Sequence, residues 1–402
     1  MWELIRVNKR NSVLLLAAMG SVLLMLGFVL GMLIGKNPQA GWFGMLIATG
    51  VWLVLMVVSL SSGDQILLSA SKAVRVEHDV HPMLFNVVEE MKIAANLPKL
   101  PKIYIINDPA TNAFATGRSP ETASIAVTAG LLGKLNRDEL QGVVAHEMSH
   151  ILHRDILYVT LAGVMLGSIV LISQIFLRGM FYSSLGGSRR RYSSRSNDGG
   201  AQIIMLVVAI VFAILAPLFA HILYFALSRK REYLADAGAV RLTRYPEGLA
   251  SALEKIGGSN INLEAANKVT APMYIANPFR GKKKVSLYST HPPIEERIRI
   301  LRNMTHGAAF VNYEQSYEDV TKRAPIVPAS ALTPEEVALR EGSTASPQTP
   351  KAQARQVGDI MRKVSQFAFV SCVCGLTMKI PPDYKGDKVQ CPRCKKISEI
   401  KR

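Results

Sequence analysis

The sequence predicts an α+β domain built onto about four transmembrane helices, with a small metal-held module at the C-terminal end. Three observations carry this. Four apolar stretches are each long enough to cross a hydrocarbon core, which takes about 20 residues. Between and after them lie segments of helical and strand periodicity, one of which holds the signature HEMSH at 146–150. All four cysteines lie after residue 370, in two short knuckles. Composition agrees: 402 residues, 49% hydrophobic and 19% charged, are too apolar for an ordinary soluble chain and too polar for one wholly in a bilayer. The net charge of +17 points to an anionic neighbour, either a membrane surface or nucleic acid.

The apolar stretches are roughly 12–35, 41–60, 156–177 and 203–227. None carries Asp, Glu, Lys or Arg in its middle, where each costs about 3 kcal/mol. The first follows MWELIRVNKR. It is too long for a signal-peptide core and lacks a clear cleavage site, so it reads as an uncleaved anchor. Gly27, Gly31 and Gly35 recur at four-residue spacing. That spacing lets helices approach closely, or reflects how common glycine is in such spans. Residues 1–62 therefore read as one membrane hairpin and 156–227 as a second.

Residues 63–155 read as the first part of a globular domain. Helical periodicity covers 81–96. PKIYIIND reads as a strand, and TNAFATG and ASIAVTAG as two more joined by the turn RSPE. Asn136, Asp138 and Glu139 stand where a helix start wants acceptors and negative charge. That helix holds HEMSH. Residues 228–316, polar and mostly helical, form the second part of the domain. Residues 317–362, rich in Pro, Ala, Thr, Ser and charge, read as a flexible linker. Residues 363–402 form a compact module.

In a helix His146 and His150 lie one turn apart on one face. They suit one zinc ion, with Glu147 beside them to act on its water. With 8 histidines in the chain, chance gives roughly 0.01 such motifs, which favours function. A catalytic zinc needs a third protein ligand. His153 shares the face but lies about 10 Å along the axis from His146, too far to join it. Glu232 and Asp236 in SRKREYLADAGAV are better placed, just after the fourth apolar stretch. Continuous helices would put His150 about 9 Å from the third span and Glu232 about 8 Å from the fourth. Two consecutive spans return the chain to the side it left, so these donors meet at one height.

HEMSH, the later EYLAD, TNAFATG and YSTHPPIEERI occur together in this chain. The set resembles the HtpX-like membrane metallopeptidases, relatives of the zinc CAAX prenyl proteases, over about residues 1–305. The resemblance implies a gluzincin-type metallopeptidase domain and a zinc-dependent endopeptidase. His146, His150 and Glu232 match its zinc ligands and Glu147 its general base. Asp236 matches a carboxylate that orients a ligand imidazole. His291 matches a histidine near the substrate carbonyl; the alternative is a histidine merely fixed in a loop by Pro292 and Pro293. Asn112, Ala113, Phe114, Ala115, Thr116 and Gly117 match the edge strand that holds substrate backbone. The resemblance further implies membrane protein or peptide substrates, quality control of misfolded membrane proteins, and a bacterial cytoplasmic membrane.

The C-terminal module departs from that family core. CVCG and CPRC set Cys372 and Cys374 against Cys391 and Cys394. The spacing fits one structural zinc of a ribbon, with redox-active dithiols or disulfides as the alternative. Together with the histidine site this makes two zinc ions, one catalytic and one structural. No aromatic series accompanies the lysines and arginines of the module, which favours protein or anionic lipid headgroups over nucleic acid.

Positive charge sets orientation. Arg6, Lys9 and Arg10 before the first span, and Arg229, Lys230 and Arg231 after the fourth, place both termini and the site on the cytosolic side. The loop 178–202 opposes this with Arg178, Arg189, Arg190, Arg191 and Arg195. Either the second hairpin does not fully cross, or the loop overrides its charge. Asp138, Glu139, Arg154 and Asp155 flank HEMSH and place it in the wet interface rather than inside the bilayer. A membrane-anchored adaptor with an inactive peptidase part is the competing class, disfavoured by the complete set of three ligands plus Glu147.

Overall fold

Helix α1 (Trp2–Gly35) turns sharply into α2 (Pro38–Ala70). Asn37 caps α2 by accepting from the Ala40 N–H, and Pro38 opens the helix where no N–H is needed. The two helices touch along their glycines. A Cβ on Gly27 would lie 2.5 Å from the Ala48 Cβ, and one on Gly31 would lie 2.4 Å from the Ala40 carbonyl oxygen. The four-residue glycine spacing is thus a contact surface between backbones. The computed structural model describes residues 2–185, 199–264, 266, 271–278, 291–327, 332, 336–343 and 349–400.

Among the described residues three helices are long and apolar enough to cross a membrane, with stretches at Val13–Gly35, Pro38–Ala70 and Leu161–Gly179. The third lies in α6 (Ile156–Leu185). The fourth expected span falls in α7 (Gly199–Thr243), a 45-residue helix whose apolar stretch among the described residues is Leu206–Ile222. Helices α1, α6 and α7 meet through Met19, Leu23, Ala162, Ile169, Ala216 and Ala220. Trp42, Phe43, Leu46 and Ile47 of α2 point outward, as a lipid-facing helix requires. Arg178 lies in α6; Arg189, Arg190, Arg191 and Arg195 lie outside the described residues.

The globular part is a four-stranded sheet with helices packed on it. Strands β1 (Ala73–Arg75), β2 (Lys102–Ile106), β3 (Ala113–Thr116) and β4 (Ser124–Thr128) are ordered β1-β2-β4-β3. β2 and β4 are parallel, while β3 returns antiparallel to β4 with Ala115 opposite Ile125. β3 is therefore an edge. Helices α3 (Pro82–Ala94), α4 (Ala129–Lys134) and α5 (Arg137–Leu152) follow the strands. A capping box starts α5: Asn136 accepts from the Glu139 N–H and Glu139 accepts from the Asn136 N–H. α8 (Pro246–Gly257), α9 (Ile294–Arg302) and α10 (Phe310–Thr321) complete one core with Leu84, Ile105, Val127, Val144, Leu253 and Ile300.

The segment 317–362 differs from the flexible linker read in the sequence. It holds the end of α10 and most of a further helix, α11 (Pro350–Val364). Ile360 and Val364 of α11 enter the main core, and Gly133 of α4 lets Val357 approach closely. Between the two helices, Arg340 donates to Asp138 and Gln141 on α5 and to the Thr243 carbonyl, and Ser343 donates to Asp138. Composition missed the segment around Arg340 because its contacts are ion pairs and hydrogen bonds, which leave no hydrophobic period; it missed α11, whose Val357, Ile360 and Val364 recur at helical spacing, because the surrounding residues are rich in Pro, Ser, Thr and charge. Two hairpins end the chain: β5 (Ala368–Ser371) with β6 (Thr377–Ile380), and β7 (Lys388–Gln390) with β8 (Ile397–Glu399).

Candidate metal centre and active site

α5 presents His146 and His150 on one face, with their Nε2 atoms 3.3 Å apart. α7 brings Glu232 to them: its carboxylate oxygens lie 3.8 Å from His146 Nε2 and 3.7 Å from His150 Nε2. One donor atom from each residue falls in a group within 4.8 Å. Two nitrogens each about 2.0–2.1 Å from a tetrahedral zinc stand about 3.3 Å apart, so this donor set suits zinc in spacing and in chemistry.

The outer side of each donor is also held. His146 Nδ1 lies 2.9 Å from Asp236 Oδ1. Asp236 in turn receives Arg297 Nε and Nη2 at 2.8 and 2.6 Å. Arg297 is fully buried and also donates to the Ile275 carbonyl and to Glu232 Oε2. His150 Nδ1 lies 3.0 Å from Asp155 Oδ2. That contact exists because the chain breaks between α5 and α6: Arg154 adopts left-handed backbone, φ 54°, and turns Asp155 back toward α5. The continuous-helix estimate of the height of His150 therefore does not apply. The break supplies the carboxylate that fixes the ring.

Glu147 is buried next to this group. Burial raises its carboxyl to about 8, with His150 opposing and Glu232 adding to the rise; the Ala115 N–H donates to it. Burial pulls the His150 imidazole down, but Asp155, Glu232 and Glu147 outweigh it and raise it to about 10. Burial opposes ionisation of Glu232, yet His291 and Arg297 hold its carboxyl well below the usual range. Glu232, Asp155 and Asp236, three buried carboxylates held ionised, thus face the two imidazoles, a setting that attracts a dication.

His291, at the entry to α9, has Nδ1 3.1 Å from Glu232 Oε2. The structure brings it to the donor group, against the third carboxylate. Tyr288, Ser289 and Thr290 of the quoted motif lie outside the described residues. His153 caps α5, is buried against Gly238 and Phe310, and stays apart from the donors.

The edge strand differs from expectation over part of its length. Ile275 N–H donates to the Ala113 carbonyl at 2.9 Å, and the Asn112 side chain pairs with the Ala276 backbone. Residues 112–113 are thus covered by the chain itself. Ala115 N–H, two residues on, points to Glu147. Phe114 stacks edge-on against Tyr274, and Thr116 is buried. Gly117 holds φ 137°, which a side chain rarely adopts. Sequence reasoning gave Arg297 no role and read Asp155 only as a charged flank that keeps HEMSH in the wet interface. Arg297 stood inside the quoted YSTHPPIEERI and Asp155 two residues after His153, so both were in view without a geometric reason to choose them.

In the C-terminal module Cys372 Sγ and Cys394 Sγ lie 3.3 Å apart, and Cys374 and Cys391 3.6 Å apart. None forms a disulfide. Four thiolates about 2.3 Å from a tetrahedral zinc stand about 3.7 Å apart, so the cluster suits that ion. The backbone N–H of Cys394 draws the Cys391 thiol down to about 6.

A mixed helix–strand domain carried on apolar helices, with a His–His–Glu group beside a buried carboxylate, defines a membrane metalloprotease. The Peptidase family M48 model matches residues 79–305. The protease HtpX homolog of Dictyoglomus thermophilum is 44% identical over 303 residues, covering 75% of this chain and 94% of that one. The homolog of Listeria monocytogenes serotype 4a is 42% identical over 306 residues, 76% of this chain and 100% of that one. The crystal structure of S. mikatae Ste24p aligns with TM-score 0.37 and 21% identity over 74% of this chain and 66% of that one. The chain belongs to peptidase family M48 and is an HtpX-type membrane zinc protease. The helix α10, the strap after it, α11 and the cysteine hairpins all lie beyond the matched range.

Proposed function

We propose that this protease hydrolyses peptide bonds of membrane proteins at the cytosolic surface of a bacterial inner membrane, in quality control of misfolded substrates. The observation that carries the reading is the donor group His146, His150 and Glu232 with Glu147 at its side. Those three residues would hold a catalytic zinc, which supplies a Lewis acid and a water of lowered pKa. Glu147 would take a proton from the attacking water and hand it to the leaving amine, its carboxyl raised by burial to about 8 so that it can hold the proton between the two steps. Asp236 and Asp155 hold the imidazoles in one orientation. His291 donates to the developing oxyanion once it releases Glu232. Substrate backbone pairs with β3 from the Ala115 carbonyl to Gly117, since residues 112–113 are covered and the Ala115 N–H is taken by Glu147. The four cysteines hold a second, structural zinc.

The test is Glu147→Gln in full-length protein. Zinc content should stay at two per chain while cleavage of a model membrane substrate falls at least about a thousandfold. Retained cleavage in that variant would sink the mechanism. Zinc bound at the cysteines alone would favour an adaptor instead.

A further inference from the structure

A cavity of about 580 Å³ lies beside the break after α5. Its walls come from the end of α3, the loop between β3 and β4, the break after α5, the last turns of α7, and Phe310 and Val337 from beyond the family match. Its volume is that of an ordinary small-ligand site. Three arginines line it: Arg154, Arg241 and Arg244. Glu121 is the one acid among the lining residues, and it already feels the positive charges of Arg154 and Lys99. The balance of the cavity is therefore cationic.

The rest of the lining is apolar. Leu97, Leu152, Leu242 and Phe310 face the same space. The Arg241 guanidinium lies 5.6 Å over the Phe310 ring, which holds it in place before any anion arrives. Arg154 sits just before α6, the helix that carries the apolar stretch Leu161–Gly179. The cavity thus combines a cationic rim beside a membrane-crossing helix with an apolar wall behind it.

We propose that this cavity binds a phosphate ester, with Arg154, Arg241 and Arg244 holding the phosphate and Phe310 backing the apolar part. Planar guanidiniums match phosphate oxygens in paired hydrogen bonds, which a lone ammonium does not. The source is either an anionic phospholipid or a soluble phosphate compound; both present the same group. The site is a property of this chain's extension as much as of the protease core, because Phe310 and Val337 close it. It also touches both helices that carry the metal donors, through His153 on α5 and Gly238 on α7.

The experiment uses zinc-loaded full-length protein. In neutral detergent, inorganic phosphate and glycerol 3-phosphate are titrated by calorimetry. In nanodiscs, phosphatidylglycerol and phosphatidylcholine compete, and the lipid retained is read by native mass spectrometry. The expected result is binding of a phosphate compound, or preferential retention of phosphatidylglycerol, weakened about tenfold or more in the double variant Arg241→Gln, Arg244→Gln. Val337→Glu keeps the arginines but places a carboxylate in the cavity, and it should weaken binding as much. Binding only in detergent assigns a soluble ligand; retention only in nanodiscs assigns the lipid. The proposal is overturned if no phosphate compound binds and neither lipid is preferred. It is equally overturned if binding is undiminished in both variants.

Discussion

The two groups of side chains in this chain that could hold a metal ion are built in opposite ways. His146, His150 and Glu232 come from two helices sunk in the main core, and each is held from behind by Asp236, Asp155, His291 or Arg297. The cysteines come from the knuckles of two short hairpins whose own core is little more than Val370, Met378, Ile380 and the thiols. The first group is a site prepared in advance by protein contacts. The second has little core of its own, so a metal bound there would complete the fold. The difference teaches where the energy of a bound metal would go: into chemistry at the helices, into folding at the hairpins.

The largest expected effect breaks the comparison if it fails. Stripping zinc with a chelator should abolish amide-exchange protection across 366–400 and leave α5 and α7 protected. Structural zinc contributes about 10–16 kcal/mol to small cysteine folds, more than these hairpins supply themselves. Cys391→Ser should do the same without chelator, because Cys391 is the fully buried thiol of the four. Equal loss of protection in both regions would show that the helices also depend on their metal.

The next effect tests the other side. Arg297→Met removes the buried guanidinium shared by Asp236, Glu232 and the Ile275 carbonyl. Two carboxylates are then left buried without their partner. The expected cost is about 3–5 kcal/mol, read as a lower melting temperature of the protease domain. Protection of the cysteine hairpins should not change. A melting temperature equal to wild type would mean that the donors are not held as tightly as their contacts suggest.

The contrast between the groups also explains what the sequence could say. Both donor sets were legible, because ligand chemistry demands fixed spacings: His146 to His150 one turn apart, Cys391 to Cys394 in a knuckle. Three of the four sheet strands were legible by composition; β1, only three residues long, left no period. The supports were not legible. Asp155 reaches His150 only because Arg154 breaks the helix, and Arg297 reaches Asp236 across 61 residues of chain. The strap around Arg340 looked like a linker for the same reason. Polar contacts between distant segments carry no local pattern, whereas a ligand pair on one helix does.

Asp155→Asn and Asp236→Asn sharpen the comparison within the helix site. Each should weaken zinc there about 10–100-fold, the usual effect of losing the carboxylate behind a ligand imidazole. Competition with a zinc-binding dye checks this, with cysteine-site occupancy as the internal reference. Loss at only one of the two positions would show that one imidazole is fixed by packing alone.

The smallest effect concerns His153, three residues from His150 and opposite to it in character. Burial lowers its imidazole to about 4. An unfolded histidine titrates near 6.5, so as pH falls the unfolded chain takes up this proton first. The contribution to stability is whole above about 6.5 and is lost progressively down to about 4. The expected loss is about 1–2 kcal/mol near pH 5. The acid carboxylates of the site also lose their partners in that range, so wild type alone does not isolate the term. His153→Gln does: its melting temperature should fall less steeply than wild type between pH 6.5 and 4. Parallel slopes would mean that His153 is already solvated in the fold. The cysteine hairpins, which contain no histidine, should show no matching difference between the two proteins, so the term belongs to the helix region alone.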